Sequence, residues 1–327
     1  MPYGGLSSLV TLKDVAKRAG VSIATASRVI NGGDNVAAES KKRVLEAIQE
    51  LGYYSNEVAR SLRQEYLKII SVTLPGINNL FYTEMLQGID DVTSINGYSV
   101  LFNDTTENDE IEKQSLKMIR SLRIAGSILF HLGGIDNELI QLCDTTFPSM
   151  LINSVRRESI GRITFIPYDV KSISKLAFDY LQSKYQPTDV WFFSPILHGE
   201  FYMDEALITQ APFRLHWILS GITPRDAKRV CLQQADLGKI PAFVTTNDFQ
   251  AMGVVEYLRE KKEPIRLISF GNTMLAQNLE PQLTSVGPSG YDLGVSVASE
   301  LITRIEGGKS QNNLPDLVIP EIIIRET

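Results

Sequence analysis

Between Val10 and Asn31 the chain gathers side chains suited to anions and to flat hydrogen-bonding edges. Ser22 and Thr25 stand where a helix would begin. Their hydroxyls can bond phosphate oxygens there, beside backbone N–H groups that point at the same anion. Ile23, Ala24 and Arg28 then share an exposed leading face, and the planar donor fork of Arg28 fits the edge of a base. A second polar pair, Asn247-Asp248, follows the apolar run Ala242–Val244. Such a pair can donate to and accept from buried hydroxyls. Covalent and metal chemistry find no comparable support. The chain has two cysteines, Cys143 and Cys231, and three histidines. Those counts leave no disulfide framework and no four-cysteine zinc site. There is no Gly-x-Ser-x-Gly elbow, His-Glu-x-x-His or Cys-x-x-Cys. Gly308-Lys309-Ser310 lacks the first glycine of a phosphate loop, because Thr303 stands there. Asp90-Asp91 reads as a solvated helix face. No catalytic residue, metal or cofactor is expected.

The elements that must position these residues change character along the chain. The first 63 or so residues read as short helices. Thr11 and Asp14 match a capping box, and Gly20 ends a helix whose apolar face is Val15, Ala16 and Ala19. Ser22 caps a second helix, Ile23 to about Ile30. A third runs from about Glu39 to Leu51, and Asn56 caps a short segment from Glu57 to Arg63. Two helices joined by Gly20-Val21-Ser22 make a helix-turn-helix whose second helix could enter a major groove. A plain helical hairpin fits the same residues.

From Lys68 onward apolar runs recur: Ile69–Leu74, Tyr98–Phe102, Ala125–Phe130, Ser149–Ile152, Ile163–Ile166, Val190–Phe193, Phe213–Leu219, Ala242–Val244 and Ile265–Phe270. Amphipathic stretches lie between many of them, clearest at 291–305. That alternation means parallel sheets covered on both faces. The remaining length fits two lobes better than one sheet, with a boundary near Pro167. Charge follows the same division. Residues 1–68 hold ten Lys/Arg against seven Asp/Glu, and the rest hold 22 against 31. A basic head on an acidic body suits a polyanionic partner met by the head. No apolar stretch is long enough to span a membrane, and the first residues, MPYGGLSSLVTLKD, do not read as a secretory signal. A cytoplasmic location is expected.

The words TLKDVAKRAGVS (11–22), TASRVIN (25–31), Lys41–Leu45, LGY (51–53) and NEVARSL (56–62) resemble the DNA-binding headpiece of the lactose/galactose repressor family. The likeness continues more weakly into the core. Asn79-Leu80-Phe81-Tyr82, Thr246-Asn247-Asp248 with Ala251-Met252-Gly253, and Leu283–Val286 resemble words of that family's two-lobed, periplasmic-binding-protein-like sensor. The resemblance implies an all-α helix-turn-helix headpiece at 10–55, a hinge helix and linker at 56–67, and an α/β core at 68–327 with parallel sheets. The N-lobe would comprise about 68–167 and 290–316, the C-lobe about 168–289 and 317–327.

The implied DNA contacts are Thr11, Ser22, Ile23, Ala24, Thr25, Ser27, Arg28, Asn31, Tyr53, Asn56, Ala59 and Leu62. Leu62 would wedge into the minor groove and bend the DNA. The implied effector contacts are Phe81, Tyr82, Asn153, Tyr202, Asp204, Asn247, Asp248 and Asn272, with Trp217 a further stacking surface. The family's sugar-binding arginine is missing after Val190–Phe193, where the chain reads SPILHGEFYMDEAL. Ser55 replaces a proline before the hinge, and Asn272 stands where the family has an acid. The expected function is a homodimeric transcription regulator, a repressor of a sugar-utilisation operon, that binds double-stranded operator DNA under control of a small carbohydrate-like effector. The alternatives are a sugar-binding transport component and a regulator that has lost its ligand response.

Overall fold

The computed structural model describes the chain except residues 1–9, 31–35, 54–65, 107, 134, 136, 145, 154–157, 196–204, 235–240 and 309–319. It forms two compact units, residues 1–67 and 68–327.

The first unit packs three helices, α1 (Leu12–Ala19), α2 (Ile23–Ile30) and α3 (Ala38–Leu51). The capping box forms as its sequence suggests. The Thr11 backbone N–H donates to Asp14 Oδ2 at 2.9 Å, and the Asp14 N–H donates to Thr11 Oγ1 at 3.4 Å. Gly20 closes α1 at φ +64°, a left-handed conformation that glycine adopts without Cβ strain. The Val21 N–H returns to the Ala16 carbonyl at 3.0 Å, which starts α2 at a sharp angle. Ser22 Oγ accepts from the Thr25 N–H at 3.0 Å and so caps α2. Small residues let the helices approach: Val15, Ala16, Ala19, Ala26, Val29, Val44 and Ala47 form one buried cluster.

The second unit contains two sheets. In the N-lobe, β1 (Leu67–Leu74), β2 (Ser99–Asp104), β3 (Ile124–Phe130), β4 (Ser149–Asn153) and β5 (Ile163–Pro167) lie in the order β2-β1-β3-β4-β5. In the C-lobe, β6 (Asp189–Ser194), β7 (Arg214–Leu219), β8 (Ala242–Thr245), β9 (Leu267–Phe270), β10 (Ser285–Val286) and β11 (Ile322–Ile323) lie in the order β11-β10-β9-β8-β6-β7. The C-lobe pairs are parallel except β10 with β11. All nine apolar runs are strands. β3 and β4 are buried along their whole length, as expected of strands covered on both faces. The fold class read from the sequence is the one observed. β10 and β11, two residues each, carry no apolar run of their own.

Helices α4 (Leu80–Ile95), α5 (Asp109–Ser121) and α6 (Asn137–Cys143) follow β1, β2 and β3. In the C-lobe come α7 (Val170–Tyr185), α8 (Glu205–Gln210), α9 (Pro224–Gln233), α10 (Asp248–Lys261) and the short α11 (Met274–Asn278). The chain crosses to the C-lobe between β5 and α7. It returns after β10 to build α12 (Gly290–Ile305) against α4 in the N-lobe. Glycines let these two helices meet backbone to backbone. A Cβ on Gly294 would lie 2.1 Å from the Met85 carbonyl oxygen, and one on Gly88 would lie 2.3 Å from that of Tyr291. No described helix is long and apolar enough to cross a membrane.

Backbone cannot yield as a flexible side chain can, so Gly294→Ala must push α4 and α12 apart. Overpacking of this kind costs about 1–3 kcal/mol or more. Urea unfolding of the variant is expected to show a loss of at least that size, and wild-type stability would contradict the close packing.

Candidate functional site

In the helical unit, α2 turns Ala26 and Val29 inward and leaves Ser22, Ile23, Ala24 and Arg28 exposed, with Thr25 and Ser27 half-buried. Ile23 is 49% exposed, an apolar side chain left without a core to enter. The Ser22 and Thr25 hydroxyls lie 2.9 Å apart at the helix start. Lys13, Lys17, Lys41, Lys42 and Arg43 are also exposed on this unit. Thr11 is exposed, but its hydroxyl donates to Asp14 Oδ2 at 2.6 Å. That bond and the Thr11 N–H hold the Asp14 carboxyl below its usual range. Tyr53 packs half-buried against the helical core. Asn31, Asn56, Ala59 and Leu62 lie outside the described residues.

In the core, the carboxyl ends of the two sheets face a common cleft. Asn79, Phe81 and Tyr82 reach it from the start of α4, Phe130 and Leu132 from the end of β3, and Tyr168 from the crossing after β5. Val170, Ile173, Thr246, Phe270 and Gly271 line it from the C-lobe. Four of these residues form one aromatic wall. Tyr82 and Phe130 have ring centroids 5.0 Å apart, Phe130 and Tyr168 5.2 Å, and Phe81 and Tyr168 5.6 Å. The cavity left among the described residues is about 40 Å³. A water's share of liquid volume is about 30 Å³, and small-molecule sites run to roughly 300–1,000 Å³. The space these described residues enclose by themselves is smaller than a sugar-sized site.

Phe81 and Tyr82 line this cleft, as does the unforeseen pair Phe130 and Tyr168. Both were visible only as a strand end and a neighbour of Pro167. The expected polar contacts are placed otherwise. Asn153 is fully buried, and its Nδ2 donates to the carbonyls of His131 at 2.7 Å and Gly133 at 3.1 Å. Asn247 Oδ1 caps α10 by accepting from the Gln250 N–H at 2.7 Å. Asn272, at φ +48°, accepts from Arg325 Nη2 at 2.8 Å. Asp248 is 2% exposed. Its carboxylate accepts from Ser269 Oγ, from Ser285 Oγ at 3.2 Å, and from the Thr273 N–H and Oγ1, each at 2.8 Å. Burial pushes this carboxyl above its usual range, and those bonds pull it back. These bonds turn the Asp248 acceptors inward, toward β9, β10 and the turn at 272–274. Trp217 lies in mid-strand on β7, stacked on Phe192 at 5.0 Å, so it faces the side of the sheet rather than its carboxyl end. Tyr202 and Asp204 lie outside the described residues.

Two further groups escaped the sequence. Gln250 is fully buried and ties two loops together. Its Oε1 accepts from the Thr246 N–H at 3.2 Å and Thr246 Oγ1 at 3.0 Å, and its Nε2 donates to the Gly221 carbonyl at 2.9 Å. Behind Leu132, His131 Nδ1 and Glu112 Oε1 form a buried pair at 2.9 Å.

Asp248→Ala leaves several buried donors unmet, at about 1–3 kcal/mol each. The variant is expected to lose about 2–4 kcal/mol in urea unfolding. A change of less than about 0.5 kcal/mol, ordinary for a surface site, would show that the carboxylate is not structural.

Two family models match the chain. Residues 11–56 fit the bacterial regulatory proteins of the lacI family, and residues 202–327 fit a periplasmic binding protein-like domain. Catabolite control protein A of Priestia megaterium is 31% identical over 313 residues, covering 90% of this chain and 92% of that protein. A solved lacI-family transcriptional regulator from Silicibacter pomeroyi superposes with a TM-score of 0.83 at 20% identity, covering 97% of this chain and 99% of that one. The lac repressor dimer bound to operator and the anti-inducer ONPF superposes with a TM-score of 0.76 at 20% identity, covering 97% and 98%.

Proposed function

Since this chain belongs to the lacI family of bacterial regulatory proteins, it is a DNA-binding transcription regulator and not an enzyme; we propose that it acts as a cytoplasmic homodimer, repressing a sugar-utilisation operon under control of a small carbohydrate-like effector. The observation that carries the DNA part is the outer face of α2. A helix that buries only Ala26 and Val29 and turns Ile23, Ala24 and Arg28 to solvent is shaped for a major groove. There Arg28 would bond a base edge, and Ile23 would supply apolar contact to a thymine methyl. Ser22 and Thr25 would fix the register on phosphates. Residues 56–67 would serve as the hinge between headpiece and core, with Leu62 as the wedge. A ligand acts on such a molecule only by binding one arrangement of the lobes better than another.

A second reading, a regulator without a ligand response, draws support from the narrow aromatic cleft and from the inward-facing bonds of Asn153, Asn247 and Asp248. Thermal melting in the presence of mono-, di- and trisaccharides and sugar phosphates separates the two. A ligand at 100 times its dissociation constant stabilises by about 2.7 kcal/mol. A clear rise in Tm with one class supports the effector reading, and no rise with any class supports the second.

Arg28→Ala is expected to weaken specific operator binding by about 1–3 kcal/mol. Its effect on random DNA should be smaller. Lys13→Ala should weaken both alike or neither. Fluorescence anisotropy at fixed salt measures the affinities of the wild type and both variants for operator and random DNA. Equal losses on operator and random DNA for Arg28→Ala would remove the base-reading role.

A further inference from the structure

Three successive backbone amides leave the end of β9 bonded to three different side chains. The Asn272 N–H donates to Ser285 Oγ at 2.9 Å, and the Thr273 N–H donates to Asp248 Oδ2 at 2.8 Å. Both acceptors belong to the C-lobe. The next amide, Met274 N–H, donates at 2.8 Å to Glu84 Oε1, which belongs to α4 in the N-lobe. The local sequence accounts for this exchange. Thr273 occupies the cap position of α11 with extended backbone, but makes no side-chain cap bond. Its hydroxyl is already committed to Asp248 Oδ2 at 2.8 Å. Met274 is the first residue of α11, so its amide has no partner within the helix, and the opposite lobe supplies the acceptor.

Both ends of this bond are held firmly. The turn at 272–274 is fixed by Asp248 and Ser285, and α4 is locked to α12 by the close approach at Gly88 and Gly294. The same α4 carries Phe81 and Tyr82 into the aromatic wall, just ahead of Glu84. Between these two firmly held parts, the Met274–Glu84 bond makes a closure whose length is set by a single side chain. Partial burial, with the nearby Asp248 charge, pushes the Glu84 carboxyl above its usual range, and the Met274 N–H opposes that shift.

We propose that Glu84 is the latch of the interlobe cleft: its bond to the Met274 N–H holds the lobes closed over the aromatic wall, and opening of the cleft to a ligand requires that bond to break. This positioning role belongs to the core alone and does not rest on the DNA-binding reading.

Interlobe distances test it in the full chain. Spin labels at Ile95→Cys on the N-lobe and Lys261→Cys on the C-lobe report the separation, since both native positions are exposed. Native Cys143 and Cys231 are buried, with their thiols pushed up to about 12, and stay unlabelled. Glu84→Ala is expected to lower the closed-to-open ratio about tenfold, the scale of one hydrogen bond to a charged group. Glu84→Asp keeps the charge but shortens the arm by one methylene, and should open the cleft likewise. It also provides the readout if the alanine variant folds poorly. Glu84→Gln keeps an acceptor at full length and should open the cleft less than Glu84→Ala does. Tyr291→Phe removes a bond from α12 to Asp91, which shares α4 with Glu84 but lies within the N-lobe, and should match the wild type. An unchanged distance distribution in Glu84→Ala and Glu84→Asp overturns the latch. Opening by Glu84→Gln as large as by Glu84→Ala overturns it too, because charge rather than the bond would then be responsible. Operator affinity of the same variants is a separate readout: wider lobes with unchanged DNA binding leave the latch standing and count against control of the headpiece by closure.

Discussion

A carboxylate buried as completely as that of Asp248 survives only where its lone pairs are met, because an unpaired buried charge is among the costliest features a fold can contain. The four donors that meet it come from β9, β10 and the turn between β9 and α11. One side chain at the start of α10 therefore holds together the carboxyl edge of the C-lobe sheet. Its consequences run outward. Thr273 gives both its N–H and its hydroxyl to Asp248, and the next amide, Met274 N–H, meets Glu84 in the other lobe. Gln250, one turn further along α10, holds the loops after β7 and β8 in the same manner. A rim tied together by Asp248 and Gln250 does not adapt loop by loop. Such a rim would move with its lobe, as the proposed effector response requires.

The headpiece works by the opposite economy. Its core is made largely of alanine and valine, so the helices lie close and the unit stays small. A small core leaves much of each helix outside, and α2 exposes an isoleucine next to a capping serine and an arginine. Apolar surface in that setting has little value to the fold and suits contact with a partner. The positive balance of residues 1–68 against the acidic remainder points to the same kind of partner.

Much of the architecture was legible from apolar runs, since fully buried parallel strands write themselves as continuous hydrophobic stretches. β10 and β11 were not, because two residues cannot establish a period. The helix starts at Thr11 and Ser22 were legible because capping is local, with its partners three residues apart. The cleft was harder for the converse reason. Spacing places Asn247 and Asp248 at the end of a strand, but the direction of the Asp248 bonds depends on Ser269, Thr273 and Ser285, 21 to 37 residues away. Phe130 and Tyr168 join Phe81 and Tyr82 only when four separate segments converge, and the Glu84–Met274 bond spans 190 residues.

The central claim is that the outer face of α2 reads DNA sequence as part of a symmetric dimer. The most direct measurement is selection of bound sites from random-sequence duplexes by the purified full chain. The account predicts enrichment of a near-palindrome whose half-sites are centred roughly one helical turn apart, about 10–10.5 base pairs. Positions within each half-site should lose their preference when Arg28 is replaced by alanine. Binding that enriches no sequence, and falls with salt equally for every duplex, would contradict it.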